Sequence, residues 1–192
     1  AALKMAHVNA SDINVIFVAT CTPDTLFPST ACRIQDRLGA ENAAAMDLSA
    51  ACTGFNYALE IAGSYIEAGK AETVLVVGAD TLSKFVDWTD RSTCVLFGDG
   101  AGAVVLRRSS EPGLMGSYLR ARGAGGPLLC IPGGGARSPW KPDQPTDAKP
   151  FIYMDGKEVF KFAVEVMVES VRKVLEKCHA TLDDVAMVIP HQ

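Results

Sequence analysis

Ala44-Ala45-Met46-Asp47-Leu48, followed by Ser49-Ala50-Ala51-Cys52-Thr53-Gly54-Phe55, reads as a short strand, a turn of small residues and the start of a helix. Beyond it Phe55, Ala58, Leu59, Ala62, Tyr65 and Ile66 keep helical spacing to about Ala68, and Gly69 is the stop signal. A thiol at such a helix start faces unpaired backbone N–H groups and the positive end of the macrodipole. Both favour the thiolate, the nucleophilic form. The small neighbours leave room for a ligand to reach the sulfur. The competing reading is a buried cysteine acting as a small hydrophobe, and position alone leaves both open. Strand–turn–helix geometry has the physical logic of a nucleophile elbow, although Gly-x-Ser-x-Gly itself is absent. A thiolate there can attack a carbonyl, with its own backbone N–H placed to donate to the oxyanion.

The pattern alternates on either side of this stretch. A helical opening at Ala1 to Ala6 leads to a strand at Asn14 to Ala19. Pro28 and Ser29 open a helix to Leu38, which Gly39 stops. Thr73 to Val77 is a β-branched run bounded by Gly78 and reads as a central strand. The glycines of Gly98-Asp99-Gly100-Ala101-Gly102 lack the Lys and Ser/Thr of a phosphate loop. They are expected to form a tight turn with positive φ and close packing, leading into a strand at Ala103 to Leu106. Gly113 to Arg122 is expected to be its antiparallel neighbour. Gly123 to Pro150 is rich in Gly and Pro and reads as a long excursion. Asp155 caps a long helix whose Phe160, Ala163, Val164, Met167, Val171, Val174, Leu175 and Cys178 share one face. Asp183-Asp184 and Val185 to Ile189 form a last turn and strand. Strand–helix alternation with short apolar strands predicts a mainly parallel α/β sheet with helices on both faces.

The chain has 192 residues, 48% of them hydrophobic and 21% charged, with a formal net charge of −4. That supports a sizeable core, and the acidic balance argues against a broad nucleic-acid surface. No apolar run reaches the roughly 18 residues of a membrane span, and no basic-plus-apolar leader is read. The six cysteines are widely spaced, without Cys-x-x-Cys or a Cys/His cluster, so neither a zinc site nor a disulfide framework is expected. A reduced, cytoplasmic setting fits. The helical opening without Met, and the stop just after a strand-like run, read as ends interior to a longer protein.

His191 follows Pro190 at the end of the last expected strand, where clefts form in α/β sheets; the plainer reading is a surface histidine. His7 and His179 are given no catalytic role. Arg91, in Asp87-Trp88-Thr89-Asp90-Arg91, suits a phosphate or flat ring, with surface ion pairing as the alternative. Phe27, before Pro28, is either a core satellite or part of an interface with another chain. Cys32, Cys94 and Cys178 read as packing residues.

Together these features resemble the β-ketoacyl-acyl carrier protein synthase III family of condensing enzymes. The resemblance rests on Phe27-Pro28-Ser29, Asp47 to Ala58 around Cys52, Val76-Val77-Gly78-Ala79-Asp80, Thr89-Asp90-Arg91 and Phe97 to Gly102. It continues through Gly156-Lys157-Glu158-Val159-Phe160-Lys161 and Val188-Ile189-Pro190-His191-Gln192. It implies a thiolase-like α/β fold of two related halves, each with its sheet between helices, in a homodimer. On that pattern residues 1–122 are most of the N-terminal half, 123–150 a connecting loop, and 151–192 the start of the C-terminal half.

The resemblance also implies the chemistry. Cys52 matches the nucleophile and His191 the catalytic histidine. Acyl-CoA acylates Cys52, and malonyl-acyl carrier protein loses carbon dioxide and attacks the thioester, which initiates fatty-acid synthesis. His191 donates to the malonyl thioester carbonyl and stabilises the enolate. A thiolate is both a good nucleophile and a good leaving group, which suits the split into acyl transfer and Claisen condensation. Neither metal nor other cofactor is expected; the coenzyme A thioester is a substrate. Phe27 matches a residue that closes the partner's acyl pocket, and Phe97 and Met154 match acyl-pocket positions. Arg91 matches an arginine near the adenine of coenzyme A. Lys161 falls at a carrier-protein docking position, and Phe160 beside it counts among the substrate-binding residues. The family's catalytic Asn and second oxyanion N–H lie past Gln192, and its adenine-stacking tryptophan lies before Ala1, so the segment is expected to be incomplete as a catalyst. The alternatives are a condensing enzyme of secondary metabolism, or a non-catalytic acyl-binding protein of the same fold.

Overall fold

The computed structural model describes residues 1–111, 113–141, 143 and 148–191. Gln192, which ends the Val188 to Gln192 motif, and Pro142 with residues 144–147 of the Gly/Pro-rich stretch lie outside them. The chain forms two compact units.

The first unit comprises Ala1–Asp80 and Gly100–Leu119, together with His191. Its sheet is built from β1 (Val15–Ala19), β2 (Ala44–Leu48), β3 (Thr73–Thr81) and β4 (Asp99–Arg107), in the order β2-β1-β3-β4. β1 is parallel to both neighbours, with Val15 beside Ala44 and Val74, and Ala19 beside Leu48 and Gly78. All five of its residues are buried, as a strand covered on both faces requires. Because side chains alternate along a strand, the β1–β3 core divides into two. Val15, Phe17, Ala19, Val74 and Val76 pack on one face against Ala58, Ala62 and Ile66 of α3 (Gly54–Glu67). Phe17 also meets Tyr65 edge-on, with ring centroids 5.4 Å apart. Ile16, Val18 and Leu75 pack on the other face with Ala31 of α2 (Thr30–Leu38), and Leu3 and Ala6 of α1 (Ala2–Ala6) lie against them. The expected α/β sheet with helices on both faces is present, parallel across β2, β1 and β3.

Local signals explain the boundaries. The Ser29 side chain accepts from the Cys32 N–H to cap α2, and Gly39 leaves the helix at φ 66°. A second device anchors the same end: the Asp47 carboxylate on β2 accepts from the Thr30 and Ala31 N–H groups, each at 2.8 Å. α3 is followed by Gly69 at φ 68°.

The second unit comprises Thr81–Asp99 and Arg120–Pro190. Its main element is α4 (Gly156–Lys177), capped by Asp155, whose side chain accepts from the Glu158 N–H at 3.2 Å. β5 (Leu129–Cys130) and β6 (Tyr153–Met154) form a two-stranded antiparallel ladder. Arg122 lies over the Phe162 ring, 4.9 Å from its centroid, and Arg120 pairs with Glu169 at 2.6 Å.

Several expectations are corrected. β3 does not stop at Gly78 but runs to Thr81. Gly100 and Gly102 lie within β4; neither they nor Gly98 takes a positive φ, and a Cβ on any of the three would meet open space. Their conformational freedom is therefore not what this strand uses. Gly113 to Arg122 joins no ladder among the described residues. Leu114 instead packs closely on α3, where a Cβ on Gly63 would stand 3.0 Å from its Cδ2. Val185 to Ile189 is not a strand, and Ile189 is 85% exposed. The apolar face of α4 is largely open, with Phe160 71% and Val164 51% exposed. Periodicity identifies the face a helix can bury, and nothing among the described residues covers this one fully. Cys32, read as a packing residue, is exposed, while Cys94 and Cys178 are half-buried. The Gly/Pro-rich stretch is not structureless, since it carries a 3-10 segment at Gly123–Leu128 and β5.

Candidate active site

Cys52 sits in a 3-10 turn, Ala51–Thr53, that joins the end of β2 to the first residue of α3. The expected helix start is thus sharpened into an elbow two residues ahead of α3. Ala51 takes φ 45°, a left-handed value uncommon for a residue with a Cβ. Such strain persists only where its surroundings hold it, and it gathers at functional positions. Thr53 closes the turn, its hydroxyl donating to the Ala50 carbonyl at 3.0 Å. Gly54 is buried against β1: a Cβ there would stand 3.1 Å from Ala19 Cβ. The turn therefore packs tightly on the strand, and a side chain at residue 54 would require Ala19 or the turn to give by a few tenths of an ångström. Cys52 itself is exposed, which removes the reading of a buried small hydrophobe.

A second thiol lies at the same edge of the sheet. Cys21 is two residues past Ala19 at the end of β1, and Asp80 is two past Gly78 on β3, so the Ala19–Gly78 register brings them side by side. Asp80 Oδ1 accepts from Cys21 N at 2.8 Å, Thr22 N at 3.1 Å and the Thr20 and Thr22 hydroxyls at 3.1 and 2.9 Å. It also accepts from Cys21 Sγ at 3.3 Å. Loss of water around the sulfur, then the hydrogen bond to Asp80 and its charge, push the Cys21 thiol up to about 12, although the residue as a whole is exposed. The charge of Cys52 acts in the same direction. Sequence reading took Cys21, like the other cysteines, as a packing residue, which its exposure corrects, and gave Asp80 no role of its own. The available signal was the run of donors Thr20-Cys21-Thr22 ending one strand opposite a carboxylate ending another.

The remaining site residues divide between the units. Phe27 and His191 belong with Cys52 to the first. Phe27 is 85% exposed beside an equally open Leu26, and His191 is exposed. Arg91, Phe97, Met154, Phe160 and Lys161 belong to the second. Arg91 is exposed on a turn built by two aspartates. Asp87 accepts from Thr89 N and Oγ1, and Asp90 accepts from the Ser92 hydroxyl and N–H and from Thr93 Oγ1. These bonds hold both carboxyls below the usual aspartate range. Phe97 is half-buried, and Met154 is half-buried at the end of β6 with its Cε near Gly156. Phe160 and Lys161 are exposed on α4.

Residues 46–123 match the family model described as 3-oxoacyl-[acyl-carrier-protein (ACP)] synthase III. The β-ketoacyl-[acyl-carrier-protein] synthase III of Caldanaerobacter subterraneus subsp. tengcongensis is 52% identical over 192 residues, covering 100% of this chain and 58% of that protein. The Clostridium novyi enzyme of the same name is 47% identical, with 99% and 58% covered. Among solved structures, the Aquifex aeolicus 3-oxoacyl-[acyl-carrier-protein] synthase III superposes with a TM-score of 0.87 at 46% identity, covering 98% of this chain and 57% of that one. The priming β-ketosynthase of the R1128 polyketide pathway superposes with a TM-score of 0.88 at 37% identity, covering 95% and 54%. The chain thus spans somewhat more than half the length of the relatives it matches. Its α/β fold, a sheet flanked by helices, is thiolase-like as in those enzymes. With an exposed cysteine at a strained strand–helix elbow and sequence identity running from end to end, the chain is similar to the 3-oxoacyl-[acyl-carrier-protein] synthase III enzymes over the part of them that it spans.

Proposed function

We propose that the protein carrying this chain condenses an acyl-CoA primer with malonyl-acyl carrier protein, releasing carbon dioxide and giving a β-ketoacyl-acyl carrier protein. The observation that carries this reading is Cys52, exposed on the Ala51–Thr53 elbow. Its thiolate attacks the acyl-CoA carbonyl, the carbon–sulfur bond to coenzyme A breaks, and the acyl group rests on Cys52 as a thioester. Malonyl-acyl carrier protein then loses carbon dioxide, and its two electrons form an enolate. That enolate attacks the Cys52 thioester, making the carbon–carbon bond and expelling the thiolate. His191 donates a hydrogen bond to the malonyl thioester oxygen while enolate charge develops there. The cycle needs neither metal nor redox cofactor, since each step moves an acyl group or a carboxyl group.

The supporting roles follow the family resemblance. Phe97, Met154 and Phe160 bound the acyl chain, Arg91 meets the coenzyme A nucleotide, and Lys161 meets the acidic carrier protein. Phe27, with Leu26 beside it, forms part of a homodimer contact in a cytoplasmic enzyme. No helix among the described residues is long and apolar enough to cross a membrane.

The test is intact mass after incubation with acetyl-CoA, followed by single-turnover condensation. One acetyl adduct on Cys52, lost in Cys52→Ala, is the expected result; an adduct that survives that substitution refutes the nucleophile. His191→Ala is expected to spare acylation and to cripple decarboxylation, whereas equal loss of both half-reactions refutes its assigned role. A second reading, priming of secondary metabolism, draws on the likeness to the polyketide priming ketosynthase. Preference for an acceptor other than the fatty-acid carrier protein would favour it.

A further inference from the structure

Two exposed thiols end adjacent parallel strands of one sheet, Cys21 after β1 and Cys52 after β2. The strand ends are close: Thr20 N donates to the Leu48 carbonyl at 3.1 Å, and a Cβ on Gly54 would stand 3.1 Å from Ala19 Cβ. An acyl-CoA reaching this edge meets two sulfurs, and acylation of the wrong one strands the acyl group. We infer that Asp80 is a positioning residue that reserves acyl transfer for Cys52, by holding Cys21 as a neutral thiol hydrogen-bonded to its carboxylate. This rests on the condensing-enzyme reading.

Asp80 Oδ1 gathers five donors from three consecutive residues, fixing the backbone of residues 20–22 as well as the sulfur. A thiol that donates to a carboxylate must lose its proton beside an existing negative charge before it can attack. Transfer of that proton to the carboxylate is uphill, since a thiol is a much weaker acid than a carboxylic acid. The groups whose charge acts on the sulfur are Asp80 and Cys52. Loss of water around the sulfur does most to raise that thiol, and the Asp80 hydrogen bond and both charges add to it in the same direction. Cys52, on its own turn, is free of this carboxylate hydrogen bond.

The test is iodoacetamide labelling across a pH series, read as mass on the Cys21 peptide, in the unaltered chain, Asp80→Asn and Asp80→Ala. Asn keeps the shape and one acceptor oxygen but removes the charge. Near pH 8 the Cys21 rate in Asp80→Asn is expected to rise about tenfold, the gain in thiolate for each unit by which the thiol falls. An unchanged or slower rate in Asp80→Asn, with Cys178 labelling as in the unaltered chain, overturns the proposal and makes Asp80 either irrelevant or an activator of Cys21. If Asp80→Ala loosens the fold, labelling of Cys178 rises too and Asp80→Asn alone decides. With acetyl-CoA, Asp80→Asn is expected to take a second acetyl group, on Cys21. Raised alkylation with no such acetyl adduct also overturns the claim of selectivity. Absence of any acetyl group on Cys52 in the unaltered chain refutes the functional reading instead, and the alkylation comparison, which uses no coenzyme A thioester, still decides the role of Asp80.

Discussion

Gly54→Ala is the most revealing single substitution in this chain, because one methyl group must fit where β1 and the Cys52 turn are closest. The added Cβ would lie 3.1 Å from Ala19 Cβ, against an ordinary carbon–carbon contact of about 3.5–4.0 Å. Neither partner is the flexible end of a long side chain, so the backbone of the turn or of β1 has to move by about half an ångström. Overpacking of this kind costs roughly 1–3 kcal/mol. Alanine gains up to about 1 kcal/mol over glycine inside a helix, and less at the first residue of α3. The net expectation is a loss of about 1–2 kcal/mol, with a slower reaction at Cys52 as its turn is displaced. Urea denaturation measures the first and iodoacetamide labelling of Cys52 the second. The decisive control is Ala19→Gly, which empties the space the new methyl needs. Alone it costs about 1 kcal/mol through lost burial and strand flexibility, yet it should offset much of the Gly54→Ala loss when the two are combined. Strictly additive effects in that double-mutant cycle, or a Gly54→Ala variant as stable as the parent, would refute the close-packing argument.

Two other perturbations probe carboxylates that hold local backbone in place, one in each unit. Asp47→Ala removes two 2.8 Å bonds to the first N–H groups of α2 and is expected to lower stability by about 2–3 kcal/mol, since bonds to charged acceptors are worth roughly 1.5–3 kcal/mol each and water replaces part of them. A change in the urea midpoint too small to resolve would show that water replaces them fully. Asp87 and Asp90 are held below their ordinary range by hydrogen bonds from Thr89, and from Ser92 and Thr93, respectively. Their contribution to the 87–93 turn is therefore present above the ordinary aspartate value and lost as pH falls through the depressed folded-state value. Protection of the Ser92 N–H, its exchange rate against the intrinsic rate at each pH, is expected to fall over that acid window and to lose this pH step in Asp90→Asn; an unchanged step would mean that Asp90 does not set it.

The sequence was most readable where a signal and its consequence are close together. The apolar runs of β1 and β3, the Ser29 and Asp155 caps and the Gly39 stop each act within one turn of helix or one strand, and each appears in place. Strand pairing is less local. Gly113 to Arg122 alternates well enough for a ladder, but a ladder needs a neighbour, and Leu114 packs on α3 instead. Val185 to Ile189 has strand composition without strand partners among the described residues. At the site, the turn around Cys52 was legible from small residues between strand and helix, but the exposure of its thiol was not, since position alone left a buried cysteine equally open. The positive φ of Ala51 was not, since alanine carries no mark of it. Nor was the Cys21–Asp80 contact, which spans 59 positions and exists only because Ala19 and Gly78 are in register.

That register has a consequence for how the molecule can change over generations. The bodies of β1 and β3 hold the buried aliphatic residues, while Thr20–Thr22, Ser49–Cys52 and Gly78–Asp80 occupy the C-terminal tips of parallel strands, one to four residues beyond or at the end of that core. Substitutions at the tips alter reactivity with little reach into the packing beneath, and substitutions in the bodies alter stability with little reach into reactivity. The two are coupled at few points, chiefly Gly54 against Ala19 and Asp80 across the strand ends. Such a division lets the side chains at the rim change while the scaffold below stays nearly constant, with those coupling points as the exceptions.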